Sequence, residues 1–151
     1  MNPIILYYSR SGKTEKLARR ISDDLKCGML KVEPEKAYGN YLSSLIRVIR
    51  EKSKQPPPKF ITEIPDLTPY DVVFLGFPVW ASNLPVFFAE FVNQCDLQGK
   101  TVIPFATFGG TDISCAANTL ERICKGAEIK LPFNYGMSKK DDYDNWMGEM
   151  S

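Results

Sequence analysis

Short apolar runs alternate with amphipathic stretches along this chain. The first run, residues 4–8, is rich in β-forming residues and has no polar interruption, which predicts a strand buried on both faces. From about Thr14 to Leu25 the apolar residues recur at helical spacing, and Gly28 follows closely, as helix ends prefer. Residues 29–33 are predicted to form a second, shorter strand.

The same alternation continues to the end of the chain. Further strands are predicted at residues 71–77, 100–106 and 127–131, and further helices at 41–51, 85–95, 114–124 and 140–150. The proline run at 55–59 is interpreted as a stiff linker, because too little chain precedes it for an independent core. The pattern therefore predicts an α/β protein, a single doubly wound five-stranded parallel sheet in one domain over residues 1–151.

Composition narrows the chemistry that this chain can perform. It contains no histidine, which excludes His-dependent triads and most catalytic zinc sites. Its formal net charge of +1 favours neither nucleic acid nor a membrane surface. The four cysteines form no C-x-x-C pair and are predicted to be buried or half-buried free thiols. With no signal-peptide pattern and no apolar run near ~20 residues, we expect a cytoplasmic protein without membrane insertion.

Candidate chemistry lies in the loops that follow the first, third and fourth strands. In an open doubly wound sheet, ligands bind outside the carboxyl ends of the strands. The first loop, residues 9–14, has the composition of an anion site: Ser9, Ser11 and Thr14 supply hydroxyls, and Gly12 allows close backbone approach. A phosphate monoester fits there, whereas an ordinary polar turn with Thr14 as the helix N-cap is the alternative.

Several common nucleotide and catalytic motifs are absent from the sequence. An NTPase P-loop would need a glycine five positions before Gly12, where Tyr7 stands. No G-x-G-x-x-G follows the first strand, no aspartate ends the third, and no G-x-S-x-G occurs. These absences disfavour an NTPase, a Rossmann dinucleotide site, a phospho-receiver and an α/β-hydrolase.

Three segments together resemble the flavodoxin family, of the short-chain type, over essentially the whole chain. Residues 5–21 carry the apolar pair, the aromatic, the hydroxyl residues and the threonine at the family's spacing, and residues 77–80 and 107–110 resemble its second and third flavin loops. The resemblance implies the strand order 2-1-3-4-5, of which flavodoxin is itself the standard example. It also implies non-covalently bound FMN. The cofactor-binding residues that it implies are Ser9, Arg10, Ser11, Gly12, Lys13, Thr14, Pro78, Val79, Trp80, Ala81, Thr107, Phe108, Gly109, Gly110 and Asp112.

The resemblance also assigns roles within the three loops. The flavin phosphate is expected on residues 9–14 and the isoalloxazine between the second and third loops, with Trp80 offering an aromatic face and Phe108 as a second candidate. Asp112 lies either near the pyrimidine end or, as a helix N-cap, before Ser114. Ala81 stands where flavodoxins often have a glycine whose peptide flips on reduction, and alanine resists positive φ.

The function implied is that of an FMN-binding redox protein that transfers electrons to a redox partner protein or a small acceptor. A small NAD(P)H-dependent quinone reductase and a flavodoxin-like module without flavin are the alternatives. Dedicated flavodoxins are usually strongly acidic, whereas this chain is nearly neutral, so docking on a basic partner is not indicated. No side chain is predicted as a catalytic acid or base, and no metal site is predicted.

Overall fold

A parallel β-sheet organises the chain in the computed structural model, which describes residues 1–38, 47, 50–51, 59–107, 112–135 and 142–150. The strands are β1 (Pro3–Tyr7), β2 (Gly28–Lys31), β3 (Val72–Pro78), β4 (Thr101–Thr107), β5 (Glu128–Ile129) and β6 (Phe133–Tyr135). Their order is β2-β1-β3-β4-β5, with β6 also paired to β4 and every pairing parallel. The predicted doubly wound α/β fold of order 2-1-3-4-5 is confirmed.

The outer edge of the sheet differs from its prediction. The strand expected at 127–131 is only two residues long, and the chain returns to β4 as β6, which the sequence did not indicate. Ile129 pairs with Val102 and Phe133 pairs with Phe105. The edge segment thus advances four residues where β4 advances three, so it carries one extra residue. Leu131, with φ of 51°, leaves the extended conformation there, and the following proline lacks an N–H for the ladder.

The helices are α1 (Lys13–Leu25), α2 (Val86–Gln94), a 3-10 helix (Ile113–Ala116), α3 (Ala117–Ile123) and α4 (Asp142–Gly148). Helix α1 ends on Lys26 in the left-handed conformation, not on Gly28, which instead opens β2. The helix predicted at 114–124 is split, because its first turn is 3-10. Of the helix predicted at 41–51, only Arg47, Arg50 and Glu51 are described, and all three are helical. The predicted proline linker lies outside the described residues, except for its last position.

Two apolar layers flank the sheet, as expected for strands buried on both faces. Leu6 and Leu75 face α2 and α3, whereas their neighbours Ile5 and Phe74 face α1 and α4. Burial of each such side chain contributes about 1.5–3 kcal/mol. No helix in this described part of the chain is both long and apolar enough to cross a membrane.

Candidate functional site

The carboxyl ends of β1, β3 and β4 lie side by side at one edge of the sheet. The Tyr8 amide donates to the Gly76 carbonyl at 3.0 Å, and the Val79 amide donates to the Thr107 carbonyl at 2.9 Å. Pro78 and Thr107 are paired as the last residues of their strands, so each strand ends one residue later than the sequence predicted. The three predicted loops therefore start from one common edge.

The first loop closes on itself before helix α1. The Gly12 amide donates to Ser9 Oγ at 3.1 Å, and Gly12 is the N-cap of α1 with φ of 94°. A Cβ at Gly12 would meet no atom within 4 Å, so the positive φ is what favours glycine there. Because Ser9 Oγ accepts this bond, its own proton can still be donated to a ligand. The positive end of the α1 dipole adds to this, so the loop can hold an anion.

Thr14 has a different role from the predicted N-cap alternative, since Gly12 takes that position. Its side chain is buried, and its Oγ1 lies 2.8 Å from Thr107 Oγ1 on β4. The sequence placed both threonines in the site but did not indicate that they touch. This contact ties the first loop directly to the start of the third.

A tight turn forms the second loop. Trp80 and Asn83 exchange two backbone hydrogen bonds, of 2.7 and 3.1 Å, around Ala81 and Ser82, whose φ values of 49° and 63° are both left-handed. Asn83 Nδ2 donates to Thr119 Oγ1 at 2.8 Å, which anchors the turn to α3. Alanine does adopt the positive φ that it disfavours, at a cost of about 1–2 kcal/mol, so this turn is strained.

Trp80 is half-buried against aromatic rings from two other elements. Its ring centroid lies 5.6 Å from that of Tyr8 and 4.8 Å from that of Tyr38, both near-perpendicular contacts. Burial and a hydrogen bond to Glu51 raise the pKa of the Tyr38 hydroxyl well above its ordinary value. Sequence reasoning missed Tyr38, although it follows β2 and the second strand also ends at this edge of the sheet.

Asp112 is the N-cap of the 3-10 helix, which is one of the two roles predicted for it. Its Oδ1 accepts from the Ser114 amide at 2.9 Å and from the Ser114 hydroxyl, and these bonds lower the pKa of the exposed carboxyl. Predicted site residues Phe108, Gly109 and Gly110 lie outside the described residues. Arg10 is half-buried, whereas Ser11 and Lys13 are exposed.

The cysteines and the acidic residues are further chemistry-bearing side chains of this chain. All four cysteines are free, with Cys95 and Cys124 buried and Cys27 and Cys115 half-buried, as predicted. Over the ranges that the structure describes, no cluster of His, Cys, Asp and Glu could hold a metal ion.

Known proteins resemble the whole chain. A protein assigned as a flavoprotein from Bacteroides uniformis is 25% identical over 97% of both chains, with a TM-score of 0.85. A flavoprotein from Lactobacillus acidophilus, solved in complex with FMN, is 20% identical over 97% of this chain and 98% of its own, with a TM-score of 0.77. Two-electron reduced Megasphaera elsdenii flavodoxin is 19% identical over 97% and 96%, with a TM-score of 0.63.

The comparison with curated protein sequences found no match. The model of the flavodoxin family, in contrast, matches residues 2–150, which is nearly the full length. The chain therefore belongs to the flavodoxin family.

Proposed function

We propose that this flavodoxin-family protein binds FMN non-covalently and carries electrons to a redox partner protein in the cytoplasm. The observation that carries the proposal is the junction of the three loops: Tyr8 bonds to Gly76, Val79 to Thr107, and Thr14 to Thr107. One edge thus presents an anion-binding loop beside an aromatic side chain, which is the combination that a flavin mononucleotide requires.

The phosphate of FMN fits the first loop. Ser9 and Thr14 offer hydroxyl groups, and the first turn of α1 offers backbone N–H groups and its dipole. Arg10 and Lys13 belong to the same loop and bring two positive charges toward a phosphate dianion. The loop therefore holds the phosphate without a metal ion.

The isoalloxazine fits between the loops that follow β3 and β4. Pro78, Val79, Trp80 and Ala81 line one side, with the Trp80 indole supplying the aromatic contact. Phe108, Gly109, Gly110 and Asp112 belong to the other side by their place in the sequence. Bound FMN supplies the one- and two-electron chemistry, and the chain supplies binding, orientation and electrostatics.

Titration of the flavin-free protein with FMN tests the proposal. We expect quenching of flavin fluorescence with one FMN bound per chain, and a weaker complex for Trp80→Leu. A protein that leaves FMN fluorescence unchanged would contradict FMN binding altogether.

A second measurement distinguishes a carrier from a reductase. As a carrier, the FMN-loaded protein should accept electrons from a donor reductase but should not by itself turn over a quinone with NADH or NADPH. Steady-state turnover by the purified protein alone would favour the quinone-reductase alternative.

A further inference from the structure

Three residues outside the predicted flavin loops form a polar cluster beside Trp80, which we call the Tyr38 clamp: Tyr38, Arg47 and Glu51. The Tyr38 hydroxyl donates to Glu51 Oε2, and Arg47 Nε donates to Glu51 Oε1 at 2.8 Å. The Arg47 guanidinium carbon lies 3.9 Å from the centroid of the Tyr38 ring. Both carboxylate oxygens of Glu51 therefore accept a hydrogen bond, and the two donor side chains, Tyr38 and Arg47, also contact each other.

Burial of Glu51 restricts the geometry of this clamp. The Glu51 residue is only 3% exposed, and a buried carboxylate is tolerated only when paired and hydrogen-bonded. Arg47 Nη1 additionally donates to the Ala37 carbonyl at 2.9 Å, which ties the guanidinium to the backbone next to Tyr38. Movement of the Tyr38 ring would leave a buried charge with one partner fewer, so the ring is held in one orientation.

The Tyr38 ring passes this restraint to Trp80. The two ring centroids are 4.8 Å apart, and Tyr8 touches both rings, at 6.1 Å from Tyr38 and 5.6 Å from Trp80. The turn at residues 80–83 fixes the backbone of Trp80, and the rings of Tyr8 and Tyr38 pack edge-on against its indole. Side chains from two other segments of the chain therefore restrict rotation of the indole.

We propose that Tyr38 is a positioning residue for flavin binding: the clamp holds its ring so that Trp80 keeps the orientation in which its indole meets the isoalloxazine. This inference rests on the proposed function and extends it to residues in none of the three loops. The ring of the flavin, and not its phosphate, is the part of the ligand whose binding depends on Tyr38.

The chain contains a matched control on the opposite face of the sheet. The Tyr143 hydroxyl donates to Asp24 Oδ2 at 2.7 Å, and the Arg20 guanidinium carbon lies 3.6 Å from the Tyr143 ring centroid. The Trp146 ring lies 5.9 Å away. Asp24 is near the end of α1 remote from the phosphate loop, so this cluster has the same chemistry but no access to the flavin.

Two variants, Tyr38→Phe and Tyr143→Phe, each remove one hydroxyl and keep the ring. Fluorine NMR of protein labelled with fluorotryptophan resolves the two tryptophans of the chain without any flavin. We expect Tyr38→Phe to shift and broaden only the Trp80 signal, and Tyr143→Phe to affect only the Trp146 signal.

Binding of lumiflavin, which has the ring but no phosphate, supplies the second readout. Tyr38→Phe should weaken lumiflavin and FMN by the same factor, about three- to tenfold, the range that an aromatic contact provides. Tyr143→Phe should leave both affinities unchanged. If Tyr38→Phe does not fold, Glu51→Gln loses the charge but keeps an amide oxygen that accepts from Arg47, while its NH2 can donate to the Tyr38 hydroxyl oxygen, so it should give a smaller loss of the same kind.

The outcomes separate this inference from the proposed function. If the wild-type protein does not bind FMN, or if Trp80→Leu leaves lumiflavin affinity unchanged, the proposed flavin contact itself is wrong. If Trp80→Leu weakens lumiflavin while Tyr38→Phe and Glu51→Gln leave it unchanged, only the role of Tyr38 is refuted. An equal loss of lumiflavin affinity in Tyr143→Phe would refute it too, because the effect would then be a general loss of rigidity.

Discussion

Replacing Thr107 by valine tests whether the proposed phosphate site in the first loop, residues 9–14, depends on strand β4. The substitution keeps the shape of the side chain and removes the hydroxyl that lies 2.8 Å from Thr14 Oγ1. Thr14 and Thr107 are only 2% and 7% exposed, so water cannot easily replace the lost partner. A bound phosphate only accepts hydrogen bonds, so Thr14 would donate to it while accepting from Thr107, and the two bonds would strengthen each other.

The magnitude follows from the number of bonds that each variant loses. In Thr107→Val the Thr14 hydroxyl has lost its partner and must be oriented when the phosphate binds, at a cost of about 0.5–1.5 kcal/mol, which corresponds to FMN binding about 2- to 12-fold weaker. Thr14→Val also loses a bond to a charged group, of about 1.5–3 kcal/mol, which corresponds to about 10- to 150-fold. Riboflavin has no phosphate, so its affinity should not change in Thr107→Val.

Isothermal titration calorimetry with FMN and with riboflavin measures both effects. The set comprises the wild type, Thr107→Val, Thr14→Val and the double variant, with Thr101→Val at the other end of β4 as a matched control. We expect the double variant to lose less FMN affinity than the two single losses combined, because the threonines act through one another. Equal losses for riboflavin and FMN in Thr107→Val, or strict additivity, would refute the reasoning.

Three further predictions concern stability of the flavin-free protein in urea. Gly76→Ala places a Cβ 2.2 Å from the Phe105 ring and should lower the free energy of unfolding by about 1–3 kcal/mol; no loss would mean that the ring can move away. Ala81→Gly relieves the left-handed strain at φ of 49°, and part of this gain is offset by the greater conformational entropy of glycine in the unfolded chain. The free energy of unfolding should rise by about 0.5–1 kcal/mol, and a decrease would speak against strain there. Burial raises the pKa of the Cys95 and Cys124 thiols from 9.0 to about 12, so between these pH values the unfolded chain loses protons that the folded chain keeps. The free energy of unfolding should therefore fall as pH rises from 9 toward 12. A free energy of unfolding that does not change with pH over this range would count against buried thiols.

Local patterning alone predicted most of the fold. The strand predicted at 71–77 is observed as Val72–Pro78, and the one predicted at 100–106 as Thr101–Thr107. Such runs are buried on both faces and therefore apolar at most positions, which makes them visible in the sequence. The last residue of α1, Leu25, was predicted, but the capping residue was not: Lys26, and not Gly28, adopts the left-handed conformation that composition alone would give to glycine.

The strand order, in contrast, came from resemblance and not from periodicity. Hydrophobic alternation shows that strands exist, but it says nothing about which strands are neighbours. The same limit explains why β6 was missed: it is only three residues long, follows Pro132, and pairs with the part of β4 that β5 leaves unpaired.

The sequence by itself determined most of the strands and helices, the place of the polar loop before α1 for which phosphate binding is predicted, and the resemblance of the chain to flavodoxins. Only the tertiary structure decided which side chains touch across the site, because these contacts join residues far apart in the chain. Thr14 and Thr107 are 93 positions apart in the sequence, and Tyr38 reaches Trp80 from the segment that follows β2. Local propensity does not encode such distances; they follow from how parallel strands bring their carboxyl ends to one edge of the sheet.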